Sequence, residues 1–340
     1  MARPVTLFTG QWADLDTDTI CSKAKSFGYD GVELGCWGDH FEIDKADADY
    51  CKAKRETLES HGLECHAIST HLVGQAVCDN IDERHQQILP DYIYGDGDPE
   101  GVRQRAAEEL IKTAHAAKEF GVKVVNGFTG SSIWHLVYSF PPVLPGQIDA
   151  GYEDFAKRWK PILDNFDKAG VDLCYEIHPG EDLHDGITFE RFLKATKNHK
   201  RVNILYDPSH FILQQLDYIA YIDHYHEFIK SFHVKDAEFN PTGKKGVFGG
   251  YLDWADRAGR YRSLGDGQID FKTIFSKLTQ YGCDIWAVME WECCIKSPEQ
   301  GAIEGAKFIN DLIINCTNKK FDDFAGGNAN KEDLKNILGL

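Results

Sequence analysis

Eight short runs of apolar and β-branched residues alternate with longer stretches of helical periodicity, and this alternation leaves the chain few ways to fold. The runs lie near residues 5–10, 31–35, 64–70, 123–130, 171–179, 202–209, 229–236 and 285–292. Amphipathic patterns fill the gaps, such as DTDTICSKAKSFG, GVRQRAAEELIKTAHAAKEFG and DFKTIFSKLTQYG, and an eighth follows at about 298–315. Four of them close on Gly28, Gly62, Gly121 or Gly170 just before the next run, the expected signature of a helix C-terminus. Near-continuous apolar strands returning through helices are the mark of a parallel sheet covered on its outer face. The count and size predict an α/β fold, a closed (β/α)8 TIM barrel. A doubly wound open sheet is the alternative, weakened because no GxGxxG follows the first strand.

Three connections exceed the usual loop length, after strands 3, 4 and 7, at residues 72–100, 131–150 and 239–268. All follow strand C-termini, the end where barrel active sites lie. Trp134, His135, Tyr138, Phe140 and Pro141 in one, and Phe248, Tyr251, Trp254, Tyr261 and Arg262 in another, suit a substrate lid; an oligomer interface is the competing use. Residues 1–316 read as a single barrel domain. Residues 317–340 read as a polar tail with a Gly-Gly step and a short terminal helix.

A chain of 340 residues, 42% hydrophobic and 27% charged, can bury one large core. No apolar run approaches the roughly 20 residues of a membrane span. The start, MARPVTLFTG, lacks a basic-then-apolar leader, so a cytoplasmic protein without membrane attachment is expected. The ten cysteines form no CxxC pair and read as reduced thiols. A net charge of −17 argues against a nucleic-acid partner.

Four of the runs end on metal-binding side chains: CYEIHP on Glu176, ILYDPSH on Asp207, SFHVKD on His233 and AVMEWE on Glu290. Three carboxylates and one imidazole at one depth form a ligand set for one divalent cation, with Mn, Mg, Co or Fe(II) preferred over Zn. Such an ion polarises the carbonyl and adjacent hydroxyl of a sugar, which acidifies the neighbouring C–H. Glu176 and Glu290, on non-adjacent strands, are then the candidate acid/base pair. Period-two alternation puts His178 on the same side as Glu176, and Lys235 on the same side as His233. Both are candidate substrate contacts, although a salt bridge from Lys235 to Asp236 or Glu238 is the plainer reading. Arg262 is a candidate anchor for a polar substrate. Glu33, Trp37 and His71 should line the pocket, His66 should pack inside, and His115, His224 and His226 should face solvent.

These motifs (E-x-H-P at 176–179, D-P-S-H at 207–210, H-V-K-D at 233–236, G-x-G-x-I-D-F at 265–271 and M-E-W-E at 289–292) resemble those of the xylose isomerase-like TIM barrels, the sugar phosphate isomerase/epimerase group, from about residue 5 to 315. The resemblance implies one Mn or Co ion held by the Glu, Asp, His and Glu, with Mn the first expectation, and acid/base roles for the two glutamates. It also implies a substrate contact from His210. The segment GFTGSSIWHLVYSFPP (127–142) resembles a subgroup of 3-keto-glycoside epimerases and the larger subunit of C-glycoside deglycosidases. In the latter, β-elimination follows enolisation and a histidine is the proposed base, here His135. The expected activity is metal-dependent isomerisation or epimerisation of a keto sugar or 3-oxo-glycoside through an enediolate, with cleavage of a 3-oxo-C-glycoside as the alternative. The expected partners are a small sugar or glycoside, a second copy of the chain and, for the lyase, a small subunit. No phosphate-binding loop is present, which favours a neutral sugar. An endonuclease IV-type enzyme on the same barrel is disfavoured by the acidic charge, and a sugar-binding barrel that keeps its metal for stability is the non-enzymatic alternative.

Overall fold

The computed structural model describes residues 3–319, 321–325 and 330–340. Its strands are β1 (Val5–Phe8), β2 (Gly31–Gly35), β3 (Glu64–Ser69), β4 (Val124–Gly127), β5 (Asp172–Glu176), β6 (Val202–Tyr206), β7 (Ile229–Val234), β8 (Asp236–Phe239), β9 (Gly259–Arg262) and β10 (Ala287–Met289). Eight of them close into a parallel barrel in the order β1-β10-β7-β6-β5-β4-β3-β2, the (β/α)8 fold that the alternation demanded. The remaining two, β8 and β9, form an antiparallel hairpin.

The helices are α1 (Thr17–Phe27), α2 (Ala48–Ser60), α3 (His71–Gln75), α4 (Asp91–Tyr94), α5 (Pro99–Phe120), α6 (Gln147–Ala169), α7 (Gly186–Ala195), α8 (Pro208–Gln214), α9 (Tyr218–Tyr225), α10 (Phe271–Gln280), α11 (Pro298–Leu312) and α12 (Lys331–Leu338). Aspartates start many of them: Asp16, Asp47, Asp98, Asp185 and Asp270 each accept a backbone N–H of the first turn. Gly28, Gly121 and Gly170 close α1, α5 and α6 in the left-handed conformation, whereas α2 closes on His61 with Gly62 one residue beyond.

All three expected connections are shorter or more ordered than their composition suggested, and residues 72–100 carry most of α3, a 3-10 turn at Glu83–Gln87, α4 and the start of α5. Helix α6 starts at Gln147, inside the expected 131–150 loop, directly after the left-handed Gly146. The 239–268 segment is anchored by the hairpin, whose first strand leaves the barrel one residue after β7. The cause is Asp236, whose buried carboxylate accepts the N–H groups of Ala237, Gly265, Gly267 and Ile269 and turns the chain outward. Gly267 must be glycine because a Cβ there would meet Asp236 Oδ1 at 2.1 Å. The tail carries α12, capped by Asn330, with all its side chains exposed; the Gly-Gly step at 326–327 lies outside the described residues.

The core has two layers. Outside the barrel, Trp159, Tyr175, Phe155 and Phe192 pack edge-to-face or stacked between sheet and helices. Inside it, Ala67, Val124, Cys174 and Leu205 fill the lumen as a separate apolar layer. Two residues further along their strands stand Ser69, Asn126, Glu176 and Asp207, so alternation aims these four into the layer above, at the C-terminal end of the barrel. The ten cysteines are unpaired, and among the described residues no helix is long and apolar enough to cross a membrane.

Candidate metal centre

Each of the four expected ligands occupies a strand end. Glu176 is the last residue of β5, Asp207 follows β6, His233 lies one residue before the end of β7, and Glu290 follows β10. His233 is in register with Val288, two residues before Glu290. All four are buried, and one ligand atom of each lies within 4.8 Å of every other. The D-P-S-H motif has a plain mechanical reading here. Asp207 caps α8 by accepting the Ser209 N–H through Oδ1 at 2.8 Å, and Pro208 takes the first helical position, where no N–H is needed. That bond orients the carboxylate so that Oδ2 faces the other ligands, and it sends His210 into the same space.

Around this set the side chains interlock. His233 Nδ1 is 2.9 Å from Glu290 Oε2, while its Nε2 is 3.1 Å from Glu33 Oε1, which also accepts the Ser69 hydroxyl. His210 Nε2 is 3.1 Å from Glu176 Oε1, and its Nδ1 is 3.0 Å from the Tyr261 hydroxyl. His71 Nε2 stands 3.3 Å from Glu176 Oε2, and the Gln11 amide donates to Glu290 Oε1 at 3.1 Å. The Lys235 ammonium reaches Asp207 Oδ2 at 3.0 Å, Glu290 Oε2 at 2.9 Å and Glu292 Oε2 at 3.1 Å.

Burial works against every charge here, and the partners overcome it. Burial raises the Glu176 carboxyl, but His210 and Lys235 hold it well below the usual range. Glu290 is likewise held low by Lys235 and His233 against its burial. Burial lowers His233, yet Glu33 and Glu290 raise it well above the ordinary imidazole value. Burial and Lys235 push His210 down, and Asp207 and Glu176 bring it up to about 9. His178 goes the other way, driven well below its ordinary value by burial and by His210, whose ring centroid is 4.1 Å away.

The donor set fits a hard or borderline divalent cation. Four buried carboxylates (Glu33, Glu176, Asp207 and Glu290), with the partly exposed Glu292 beside them, crowd one spot where, among the described residues, the ammonium belongs to Lys235. The buried Asp207 Oδ2 makes no directional hydrogen bond, with Lys235 close by as an ion-pair partner. Even with the raised imidazoles of His210 and His233 the carboxylates outnumber their cationic partners, and the four converging side chains could hold a divalent cation.

The remaining expected residues divide. His178, His71 and Lys235 converge on the cluster. Lys235 does not pair with Asp236 or Glu238, because Asp236 is engaged by backbone N–H groups and Glu238 by Arg260 and Arg262 across the hairpin. Arg262 is therefore already paired, its guanidinium 2.8 Å from Glu238. Trp37 packs edge-on to Phe8 and donates to the Gly10 carbonyl, one layer behind the imidazoles that Phe8 touches. His135 lies on an exposed 3-10 turn, Trp134–Leu136, and the described hydrogen bonds do not join it to the cluster. His66 stacks on Trp286, His226 stacks on Tyr281, and His115 and His224 are exposed.

The loop carrying His135 is tightly braced. Asp182 accepts the Ser131 hydroxyl and the N–H groups of Ser132 and Ile133, while Glu181 accepts the N–H and hydroxyl of Thr129. Gly130, with φ +70°, lets this turn pass against α3, since a Cβ would meet the Gln75 carbonyl at 2.1 Å. Beyond the brace the loop is bare: Tyr138 (88% exposed) touches only the rim, its ring 5.7 Å from that of Phe248 (80% exposed) on the hairpin excursion.

Four contributors escaped the sequence reading in whole or in part. Glu33, expected at the pocket wall, instead grips His233; an acid inside a fully buried strand is the available signal. Tyr261, expected in a lid, is brought by the hairpin to His210. Glu292 was visible only as part of a motif. Gln11 sits in a single 3-10 turn, Gly10–Trp12, too short to leave a pattern.

Inosose dehydratase from Geobacillus thermodenitrificans is 25% identical over 164 residues, 46% of this chain. That match spans 55% of the relative, about half its length. Among solved structures, 3-keto-D-glucoside 4-epimerase from E. coli superposes with a TM-score of 0.64 at 12% identity, covering 91% of this chain and 99% of that one. The IOLI protein, crystallised with a zinc atom, gives a TM-score of 0.61 at 16% identity over 91% of this chain and 97% of its own; both share the fold. The family model for the xylose isomerase-like TIM barrel matches residues 21–312, and the chain belongs to that family.

Proposed function

We propose that this chain is a divalent-metal-dependent enzyme that enolises the ketone of a keto sugar or 3-oxo-glycoside and returns the proton to give an epimer or isomer. The observation that carries the reading is the convergence of Glu176, Asp207, His233 and Glu290 on one buried spot ringed by His71, His178, His210 and Lys235. A divalent cation held by the four ligands, Mn by preference, supplies Lewis-acid polarisation of the carbonyl and its neighbouring hydroxyl. Glu176 and Glu290 approach the site from strands separated by β6 and β7, so each can hold or take a proton on a different side of a substrate seated between them. His210 and Lys235 are positively charged donors aimed at the same space, suited to an oxygen that gains negative charge. His178 is kept neutral beside them, with a buried Nδ1 free of hydrogen bonds, and is suited to accept a proton or a hydroxyl.

The similarity to inosose dehydratases favours a second reading on the same first step, in which the enediolate expels a β-substituent. Loss of an aglycone from a 3-oxo-C-glycoside belongs to this branch. Incubation with a 3-oxo-glycoside and Mn2+ in deuterated buffer separates the two. Epimerisation washes deuterium into the carbon next to the ketone and releases nothing, whereas elimination releases water or aglycone. Neither exchange nor release would refute both.

A further inference from the structure

Lys235 has an unusual seat. Its ammonium, 2% exposed, is 3.0 Å from Asp207 and 2.9 Å from Glu290, two of the four ligands, and 3.1 Å from Glu292, which is not one of them. A divalent ion gripping Asp207 and Glu290 competes directly with an ammonium on the same oxygens, since like charges at contact distance repel strongly. The lysine has somewhere to go. Glu292 lies toward the mouth, its side chain 38% exposed, and the face of Tyr261 lies 5.0 Å from the ammonium as a cation–π platform. A four-carbon stem can move its tip by ångströms while β7 stays fixed.

We propose that Lys235 is a built-in counter-ion: it holds the ligand carboxylates together in the metal-depleted protein and yields its inner contacts to the incoming ion by retreating to Glu292. This rests on the reading that Glu176, Asp207, His233 and Glu290 take a divalent ion. Without a resident cation the buried carboxylates would repel one another and splay, and an assembled ligand set loses less freedom on binding. Glu292 is then a positioning residue that sets ion affinity through the lysine.

The test is Mn2+ titration of the chelator-stripped full chain by calorimetry, with melting curves of the same samples. Lys235→Met should bind Mn2+ at least about tenfold more tightly, equivalent to about 1.4 kcal/mol, while melting lower than wild type when stripped. Glu292→Gln should bind Mn2+ several-fold more weakly. Glu292→Asp separates a seat from a mere charge, because it keeps the charge on a side chain one methylene shorter. It should weaken binding as Gln does if the lysine must land there. A Lys235→Met variant that binds no tighter than wild type, or a Glu292→Asp variant that binds as wild type does, overturns the proposal. Should the wild-type chain itself bind no divalent ion, the metal reading falls and this one with it.

Discussion

Replacing Asp236 with Asn attacks the hinge on which the hairpin leaves the barrel. The carboxylate accepts four backbone N–H groups, Ala237 at 2.8 Å and Ile269 at 3.3 Å on one oxygen, Gly265 at 3.0 Å and Gly267 at 2.9 Å on the other. The amide keeps one acceptor and turns the other into a donor, so at least two N–H groups lose their partner in a site that is 2% exposed. Each unsatisfied group costs about 1–3 kcal/mol, which puts the loss at about 2–6 kcal/mol. That is a large share of the roughly 5–15 kcal/mol that holds a domain folded. Urea denaturation at neutral pH reads it as a lower midpoint, and Asp236→Ala, which deletes all four bonds, should cost more. Because β9 delivers Tyr261 to His210, turnover should fall even where the variant remains folded. A loss below about 1 kcal/mol would show that something other than this carboxylate fixes the hairpin.

Three further outcomes follow from the site and its surroundings. Glu33→Gln keeps the shape beside His233 but removes the charge that orients the ring, and should weaken divalent-ion binding by about 10- to 100-fold, read by calorimetry. Stripping the protein with a chelator should lower its melting temperature, and restoring Mn2+ should recover it in a concentration-dependent way, because the ion binds only the folded ligand set. Burial, with Asp79 nearby, raises the Glu181 carboxyl from 4.5 to about 8. Below the unfolded value both states hold the proton; between about 4.5 and 8 the unfolded chain releases it and the folded one does not, so stability should fall as pH rises through that window and level off above it. The difference between wild-type and Glu181→Gln unfolding free energies across pH 5–9 isolates this contribution, and a flat difference would refute it.

The barrel was legible because its determinants are local and repeated: apolar runs of strand length, aspartates before helices and glycines after them. The clustering of the four candidate ligands was legible for a related reason, since a carboxylate or imidazole at the end of a buried strand stands out against its neighbours. The hairpin was hidden because it forms through Asp236 and backbone groups some thirty residues away, a long-range bond that no periodicity encodes. Lys235 shows the limit from the other side. Alternation told correctly which way it points, but its partners, from the segments after β10 and β6, are neighbours only once the barrel has closed. Gln11, in a single 3-10 turn, carried no pattern at all.

The four candidate ligands stand at the C-terminal ends of β5, β6, β7 and β10, all from residue 176 onward, and these strands are consecutive around the barrel. What the first half of the chain supplies, Gln11, Glu33 and His71, touches the ligands from outside. The set therefore stays incomplete until the last strand has emerged and slotted between β1 and β7. A nascent or truncated chain, however well its early strands pair, offers three of the four candidate ligands at most, and only the finished ring presents the whole set.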